Sequence, residues 1–214
     1  MAVNFNNLEI INKELLAFPQ SELLVVTKNQ KLENILLLID KGYYKFGENR
    51  IMEAKEKFLP LKKKFSNLEL HLIGPIQSNK LTLALSFFDC IHSLDRKKII
   101  DLIIKFIANN KREVQTSQFY LQVNIGQELQ KSGFKPQETQ EIYIHCIKHG
   151  LPIVGLMCIP PNVPDPSIYF QQMKKLRNEI NPTLKLSMGM SNDYRLALKN
   201  ESNIIRVGSA IFDK

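Results

Sequence analysis

The feature that most constrains the fold is a regular alternation of short apolar runs with longer amphipathic segments. Residues 23–27 are apolar and rich in β-branched side chains, which is typical of a strand buried on both faces. Residues 30–41 then repeat apolar side chains at helical spacing and stop at Gly42, a residue that favours helix C-termini. The alternation predicts further strands at 43–47, 68–74, 90–93, 119–124, 153–159, 184–187 and 204–208, and further helices near 49–58, 79–87, 95–109, 136–149, 167–180 and 192–200.

Eight strands that alternate with helices predict a parallel (β/α)8 barrel, in the α/β class, rather than an open doubly wound sheet. The 214 residues then form one domain, 1–214, with few insertions. A helix over about 7–18, ended by Pro19, is expected before the first strand, and another is expected after the eighth. The proline-rich residues 159–166 are interpreted as a stiff loop after the sixth strand.

Composition excludes several classes of protein. Hydrophobic residues make up 44% and charged residues 23% of the chain, the balance of a soluble globular protein. No apolar run is long enough to span a bilayer, and residues 1–7 lack the basic start and apolar stretch of a secretory signal. Cys90, Cys146 and Cys158 have no zinc-ligand spacing and suit a reducing compartment. We therefore expect a cytoplasmic protein that binds no membrane.

The formal net charge of +8 raises the question of an anionic partner. The cations are mostly lysines scattered through the amphipathic segments, and no basic stripe alternates with aromatic residues, so nucleic-acid binding is not expected. The densest run, residues 62–64, lies between Pro60 and Asn67, and we interpret it as a solvated loop.

A lysine stands where a barrel places its chemistry, at the carboxyl end of the first strand. Lys28 follows five mostly apolar residues, and desolvation by them would disfavour its cationic form and favour the nucleophilic amine. Taken alone, Lys28 is better explained as a surface lysine just past a strand end.

The loops after strands seven and eight have the composition of phosphate-binding loops. Residues 187–193 (SMGMSND) and 206–210 (RVGSA) each offer a glycine and a serine before an expected helix, and barrels commonly bind phosphate here. Helix capping by Ser191 and Ser209 is the alternative explanation for each loop.

Other polar residues follow predicted strands or share a predicted helix face. Glu48, Asn49, Gln77, Ser78, Asn79 and Asn124 stand at strand ends, where Asn49 and Asn79 also suit turns and caps. His145 and His149 lie four residues apart, but no third ligand is near and a helix C-terminus favours them, so no metal is expected.

Seven segments of this chain resemble the pyridoxal phosphate homeostasis protein family and occur in that family's order over residues 26–212. They are 46–49 (FGEN), 71–80 (HLIGPIQSNK), 123–126 (VNIG), 131–134 (KSGF), 155–160 (GLMCIP), 186–191 (LSMGMS) and 206–212 (RVGSAIF). The resemblance implies the barrel that forms the N-terminal domain of alanine racemases, with pyridoxal 5'-phosphate (PLP) as cofactor.

The resemblance also implies the residues that bind the cofactor. Lys28 matches the lysine that forms the Schiff base; the phosphate-binding groups are matched by Ser191, Gly208 and Ser209, with the Met190 backbone beside them; Arg206 matches the arginine that faces the pyridine nitrogen, and Asn49 matches a neighbour of the ring. Four departures from the family pattern, Asn29, Gln30, Arg50 and Arg195, fall around the rim of the site.

An arginine beside the ring nitrogen bears on activity, because a permanent cation disfavours a proton there and weakens the ring as an electron sink. In alanine racemases a second base comes from a C-terminal domain of the partner subunit, and we expect no such domain here. The resemblance therefore implies a monomeric, non-catalytic carrier of PLP that maintains vitamin B6 balance and supplies apo-enzymes. A weak amino-acid racemase or lyase, and a barrel enzyme for another phosphorylated metabolite, are the alternatives.

Overall fold

The computed structural model describes residues 2–212, apart from the side chain of Lys111, and its strands form a closed barrel. Eight parallel strands pair in chain order, and β8 pairs with β1 to close the ring. The strands are β1 (Glu22–Val26), β2 (Lys45–Glu48), β3 (Glu69–Leu72), β4 (Cys90–Leu94), β5 (Gln118–Val123), β6 (Ile153–Cys158), β7 (Lys185–Ser187) and β8 (Ile204–Val207). The predicted (β/α)8 barrel is confirmed.

One helix precedes the barrel, and the others each follow a strand. In chain order they are α1 (Phe5–Leu15), α2 (Leu32–Asp40), α3 (Ile51–Lys64), α4 (Leu81–Phe87), α5 (Lys97–Asn110), α6 (Pro136–Lys148), α7 (Ser167–Ile180) and α8 (Tyr194–Lys199). Two 3-10 turns, Ser78–Lys80 and Lys111–Glu113, complete the regular structure. Across residues 2–212, no helix is long and apolar enough to cross a membrane.

Alternation along the strands creates two separate layers of buried side chains. Outward-facing residues such as Val25, Leu70 and Ile205 pack against the helices in one large apolar core. Inward-facing residues such as Leu24, Tyr120 and Met157 fill a smaller core inside the barrel. Several other interior positions carry polar side chains, and one of them, Arg206, lines the candidate site described below.

The helix expected after the eighth strand is absent from the described residues, and this prediction is wrong. Residues 209–211 form a turn, and α1 packs beside that end of the chain instead. The Asn4 backbone N–H donates to Ile211 O at 2.7 Å, and Asn7 Nδ2 donates to Ala210 O at 2.9 Å. Pairing with these carbonyls satisfies backbone groups that a helix would otherwise have used.

The basic run at 62–64 is also not a loop, because α3 continues through Pro60 to Lys64. Proline cannot donate the hydrogen bond that the helix interior requires, which favoured an end before Pro60. Phe58 and Leu61 are both buried on one face of α3, and their packing keeps the segment helical. Lys62 extends from this last turn to Phe87 O and Asp89 Oδ2, at 2.9 and 2.6 Å.

Two adjacent isoleucines test whether α1 is an integral part of the barrel's helical layer. Ile11 is 2% exposed and Ile10 is 45% exposed. We expect Ile11→Ala to lower the free energy of unfolding by about 2–5 kcal/mol, because it empties a packed position. Ile10→Ala, the matched control, should stay within about 0.5 kcal/mol of the parent. Urea unfolding checks both, and equal losses would contradict the packing of α1.

Candidate functional site

A cavity of about 690 Å³ opens at the carboxyl ends of the strands. The seven residues predicted to bind the cofactor all line it: Lys28, Asn49, Met190, Ser191, Arg206, Gly208 and Ser209. Arg206 lies on β8 and the other six lie in the loops after β1, β2, β7 and β8, which are neighbouring strands in the closed sheet. The structure therefore brings together residues that lie up to 181 positions apart in the sequence.

Lys28 reaches the cavity as a free amine. Its side chain is exposed, so the apolar strand before it does not supply the desolvation that the sequence argument assumed. Its amine makes no hydrogen bond or ion pair with any described residue. The other lysine of the cavity, Lys131, donates to Pro160 O at 2.9 Å and pairs with Glu128 Oε2 at 2.5 Å. Lys28 is consequently the amine available for reaction with a ligand.

The backbone around Lys28 is held by carboxylates. Asn29 adopts a left-handed conformation, with φ of 59°, which asparagine tolerates better than most residues. Its N–H donates to Glu53 Oε1 at 2.7 Å, and the Thr27 hydroxyl donates to Glu48 Oε1 at 2.6 Å. These two bonds fix the chain on both sides of Lys28.

The Lys57 amine bridges the Glu48 and Glu53 carboxylates. It lies 2.5 Å from Glu48 Oε1 and 2.9 Å from Glu53 Oε1, and it donates to Thr27 O at 2.8 Å. Burial raises the pKa of Glu48 in spite of Lys57 and Thr27. Burial also acts to raise the pKa of Glu53, but Lys57 and the Asn29 amide together hold it below its ordinary value. Sequence reasoning missed Glu53 and Lys57, whose i,i+4 spacing on a helix was the available signal.

Asn49 presents a polar atom that the described residues leave unused. Its Oδ1 is buried and has no hydrogen-bond partner within residues 2–212. Its backbone is fixed by close packing, because a Cβ on Gly74 would lie only 2.0 Å from Asn49 O. A buried amide oxygen without a partner is costly, so it is suited to a ligand donor or a water.

The loops after β7 and β8 meet at the Ser191 side chain. The Ala210 N–H donates to Ser191 Oγ at 3.2 Å, which leaves the Ser191 hydroxyl proton free to donate. Gly208 allows the two backbones to approach, since a Cβ there would lie 2.8 Å from Val26 O. Neither Ser191 nor Ser209 donates its backbone N–H to a described residue.

Met190 lines the cavity in a different way from the serines. Its N–H donates to Asp193 Oδ1 at 2.5 Å, and its carbonyl accepts from the Asp193 and Tyr194 amides. The Met190 backbone therefore shapes the turn, and the donors that remain for an anion come from Ser191 and Ser209.

Arg206 is a buried cation that reaches the cavity from the barrel interior. It is 4% exposed, and its NH1 donates to Ser187 O at 2.6 Å and to Ser187 Oγ at 2.8 Å. Its NH2 donates to Cys158 O at 2.8 Å. Burial lowers the pKa of this guanidinium from its ordinary value, although arginine stays cationic at neutral pH. Three of its five N–H groups are used within the described chain, and two remain for a ligand.

The four departures from the family pattern lie outside the cavity lining. Asn29 supports the Lys28 loop, and Gln30 N donates to Thr27 O. Arg50 precedes α3 and is exposed. Arg195 pairs with Glu14 of α1 at 2.9 Å, so it holds the N-terminal helix against α8.

Several other polar candidates have structural partners. Asn124 Nδ2 donates to Glu128 O and Lys131 O, which organises the loop after β5, while Gln77, Ser78 and Asn79 form a turn away from the cavity lining. His145 pairs with Asp101 at 2.8 Å, and His149 Nδ1 bonds to His145 O at the end of α6. Among residues 2–212, one group has ligand atoms close enough for a metal, namely His71, Cys90 and His92 within 4.8 Å of one another.

Comparisons with known proteins agree with this geometry. Residues 5–213 match the family described as alanine racemase, N-terminal domain. Pyridoxal phosphate homeostasis protein from Haemophilus influenzae is 36% identical over 202 residues, covering 89% of this chain and 84% of the relative. The corresponding protein of Aquifex aeolicus is 33% identical over 201 residues, covering 90% of this chain and 86% of the relative.

Solved structures give the same picture. PipY of Synechococcus elongatus without PLP is 29% identical, with a TM-score of 0.88 over 97% of this chain and 99% of that chain. Its structure with PLP bound has a TM-score of 0.85 over the same shares of the two chains. Alanine racemase from Corynebacterium glutamicum, at 12% identity, shares the fold alone, with a TM-score of 0.70 over 100% of this chain and 62% of that chain. The chain belongs to the pyridoxal phosphate homeostasis protein family, whose barrel is that of the alanine racemase N-terminal domain.

Proposed function

We propose that this chain holds PLP in the cavity, bound covalently through the cofactor aldehyde to Lys28, and acts as a carrier in vitamin B6 homeostasis. One observation carries the proposal: six residues from four loops and Arg206 from β8 converge on one cavity in which Lys28 is the unengaged amine. The names of the relatives and the PLP-bound PipY structure support the same cofactor.

The chemistry of the cavity fits a phosphorylated aldehyde with an aromatic nitrogen. An amine is the group that condenses with an aldehyde, and Lys28 offers one. The hydroxyls and free backbone N–H groups of Ser191 and Ser209 are donors suited to a phosphate, and Gly208 allows close approach. The unpartnered Asn49 Oδ1 offers an acceptor beside the ring. These groups would hold the cofactor at both ends.

The chain's own residues determine how much chemistry the site supports. Bound PLP supplies an electron-poor ring that stabilises negative charge on an attached amino acid. Arg206 approaches as a permanent cation held by Ser187 and Cys158, so it disfavours a proton on the ring nitrogen and weakens that stabilisation. Lys131, the second amine, is engaged by Glu128 and Pro160 and is poorly placed to act as a second base.

A weak racemase or lyase is the alternative function, and the cavity lining disfavours it. No tyrosine, histidine or cysteine of residues 2–212 lines the cavity, and the carboxylate of the described lining, Asp193, already accepts from the Met190 N–H. We therefore infer a non-catalytic, cytoplasmic and monomeric carrier that releases PLP to apo-enzymes. Size-exclusion chromatography with light scattering tests the monomer.

The first prediction concerns the choice between the two lysines of the cavity. Lys28→Ala should abolish the yellow, borohydride-reducible chromophore while changing the free energy of unfolding by less than about 0.5 kcal/mol, because Lys28 is exposed. Lys131→Ala is the matched control and should keep the chromophore. Borohydride reduction and peptide mapping should place the pyridoxyl group on Lys28, and finding it on Lys131 would refute the assignment.

The second prediction concerns the phosphate. Ser191→Ala and Ser209→Ala should each weaken PLP binding by about 1–3 kcal/mol, because hydrogen bonds to a charged group exceed those between neutral groups. Pyridoxal, which lacks the phosphate, should bind the parent far more weakly and should be insensitive to either substitution. Equilibrium dialysis measures all four cases, and equal retention of PLP and pyridoxal by the parent would rule out a phosphate site.

The third prediction separates a carrier from an enzyme. The parent protein should form no D-isomer or keto acid from single L-amino acids. Arg206→Gln removes the cation but can still donate to Ser187 O or Cys158 O, so Cα deuterium exchange from a bound amino acid should rise. NMR follows the exchange. Racemisation by the parent, or a variant that binds PLP with unchanged exchange, would show that Arg206 does not suppress catalysis.

A further inference from the structure

The barrel interior contains polar residues that the proposed function does not use. Glu69 and His71 on β3, His92 on β4 and Ser187 on β7 all point inward, between the apolar residues of the inner core. His71, His92 and Ser187 are buried. Three buried polar side chains inside one small barrel require partners, because an unpaired buried donor or acceptor is costly.

These side chains form a continuous line of hydrogen bonds that ends at Arg206. His71 Nε2 lies 2.8 Å from Glu69 Oε1, and His71 Nδ1 lies 2.8 Å from His92 Nε2. His92 Nδ1 lies 2.9 Å from Ser187 Oγ, which in turn accepts from Arg206 NH1 at 2.8 Å. The line thus runs from one end of the barrel, where Glu69 also contacts Lys45 at 3.5 Å, to the cavity.

The direction of these hydrogen bonds follows from the two ends of the line and from the buried Ser187 hydroxyl, whose proton has one acceptor among its described side-chain partners, His92 Nδ1. Arginine can only donate, and an ionised carboxylate can only accept. With Arg206 donating to Ser187 Oγ, the Ser187 hydroxyl donates to His92 Nδ1. The His92 Nε2–H then donates to His71 Nδ1, and the His71 Nε2–H donates to Glu69. In this order each of the two rings donates through Nε2 and accepts on Nδ1.

The electrostatics of the residues support this order. The hydrogen bond from His71 holds the pKa of Glu69 at about 2, so the acceptor end is ionised at neutral pH. Burial, with the neighbouring His71 and Arg206, lowers the pKa of His92 well below its ordinary value, so His92 is neutral. If His71 were doubly protonated, the Ser187 hydroxyl would donate to none of its described partners.

Arg206 needs such an arrangement because its charge is buried. It is 4% exposed and forms no ion pair with any carboxylate of residues 2–212, so the Asp193 carboxylate, which attracts it without contact, offsets only part of the cost of burying its charge. In Ser187, His92 and His71, the accepting oxygen or nitrogen faces Arg206, and the donated proton faces Glu69. The line therefore presents Arg206 with a polarised acceptor, Ser187 Oγ, in a fixed position.

We propose that Glu69, His71, His92 and Ser187 are positioning residues that form a directed hydrogen-bond chain and hold the Arg206 guanidinium toward the cofactor. The role toward the cofactor rests on the proposed function, while the hydrogen-bond chain itself does not. The chain also explains the cluster of metal-ligand type, since both ring nitrogens of His71 and of His92 are already used within it.

The hydrogen-bond chain is tested without the cofactor, by ¹⁵N NMR of histidine-labelled apo-protein. At neutral pH, His71 and His92 should each carry a proton on Nε2 and none on Nδ1, as the order of the hydrogen bonds requires. Adding Zn²⁺ should leave both signals unchanged. A doubly protonated His71, a His92 protonated on Nδ1, or signals shifted by Zn²⁺ would overturn the proposal.

The link to the cofactor is tested by variants at both ends of the chain. Ser187→Ala should make PLP dissociate about tenfold faster, as loss of about 1.4 kcal/mol of binding implies, and Ser187→Thr, which keeps the hydroxyl, should restore retention. Glu69→Gln, at the far end, should change the absorption spectrum of bound PLP. Its control is Glu22→Gln, because Glu22 also pairs with Lys45, at 2.6 Å, but contacts neither histidine.

A second control preserves the chain inside the barrel. Tyr120 stacks on His92 with ring centroids 4.3 Å apart, and its hydroxyl has no partner among the described residues. Tyr120→Phe should therefore change neither the histidine signals nor PLP retention.

If Glu69→Gln and Glu22→Gln have equal effects, or Ser187→Ala retains PLP as the parent does, the positioning role is refuted even where the NMR result stands. A parent protein that binds no PLP would refute the proposed function and leave the NMR test intact.

Discussion

Closure of the barrel by pairing β1 with β8 is the constraint on which the candidate site depends. Leu24 pairs with Arg206 and Val25 pairs with Val207, so the first and last strands of the chain end beside each other. This register places the loop that carries Lys28 next to the loop that carries Gly208 and Ser209. The close approach of Gly208 to Val26 O is the local consequence, because no larger residue fits where these two strands leave the sheet. A site built from one loop would tolerate changes in strand pairing, whereas this site depends on the pairing of β1 with β8.

The same closure explains the position of the N-terminal helix. A barrel needs cover on the outer face of every strand, and within residues 2–212 a short turn follows β8. α1 supplies that cover from the other end of the sequence, with Leu8 and Ile11 buried and Glu14 held by Tyr194 and Arg195. The loop after β8 is thereby supported from outside through the Asn7–Ala210 bond, while Ser191 supports it from the cavity side. The N-terminal helix is thus mechanically connected to the loops that are proposed to hold phosphate.

Local patterns predicted the barrel because the spacing of apolar residues within each strand and helix indicates which of its faces is buried. The strand predicted at 204–208 is observed at Ile204–Val207, and Gly42 ends the α2 region as expected. Features decided by distant contacts were not predictable in this way. The Lys57 amine has to reach Glu48 and Thr27 from another element, and α3 passes Pro60 only because Phe58 and Leu61 are packed. His71 and His92 could have been noticed as polar residues within buried strands, but only the closed barrel shows that they face each other.

The interior polar line gives a physical reason for placing an arginine at this site. A carboxylate in the same position would sit among Ser187 O and Cys158 O, two carbonyl oxygens that repel negative charge. The surroundings therefore select a cation before any ligand is considered. A buried cation in turn disfavours protonation of a neighbouring aromatic nitrogen, and Arg206 helps to lower the pKa of His92 behind it. In the proposed function, the retention of the cofactor and the limits on its chemistry would both depend on one buried charge, which Ser187, His92 and His71 connect to Glu69 at the opposite end of the barrel.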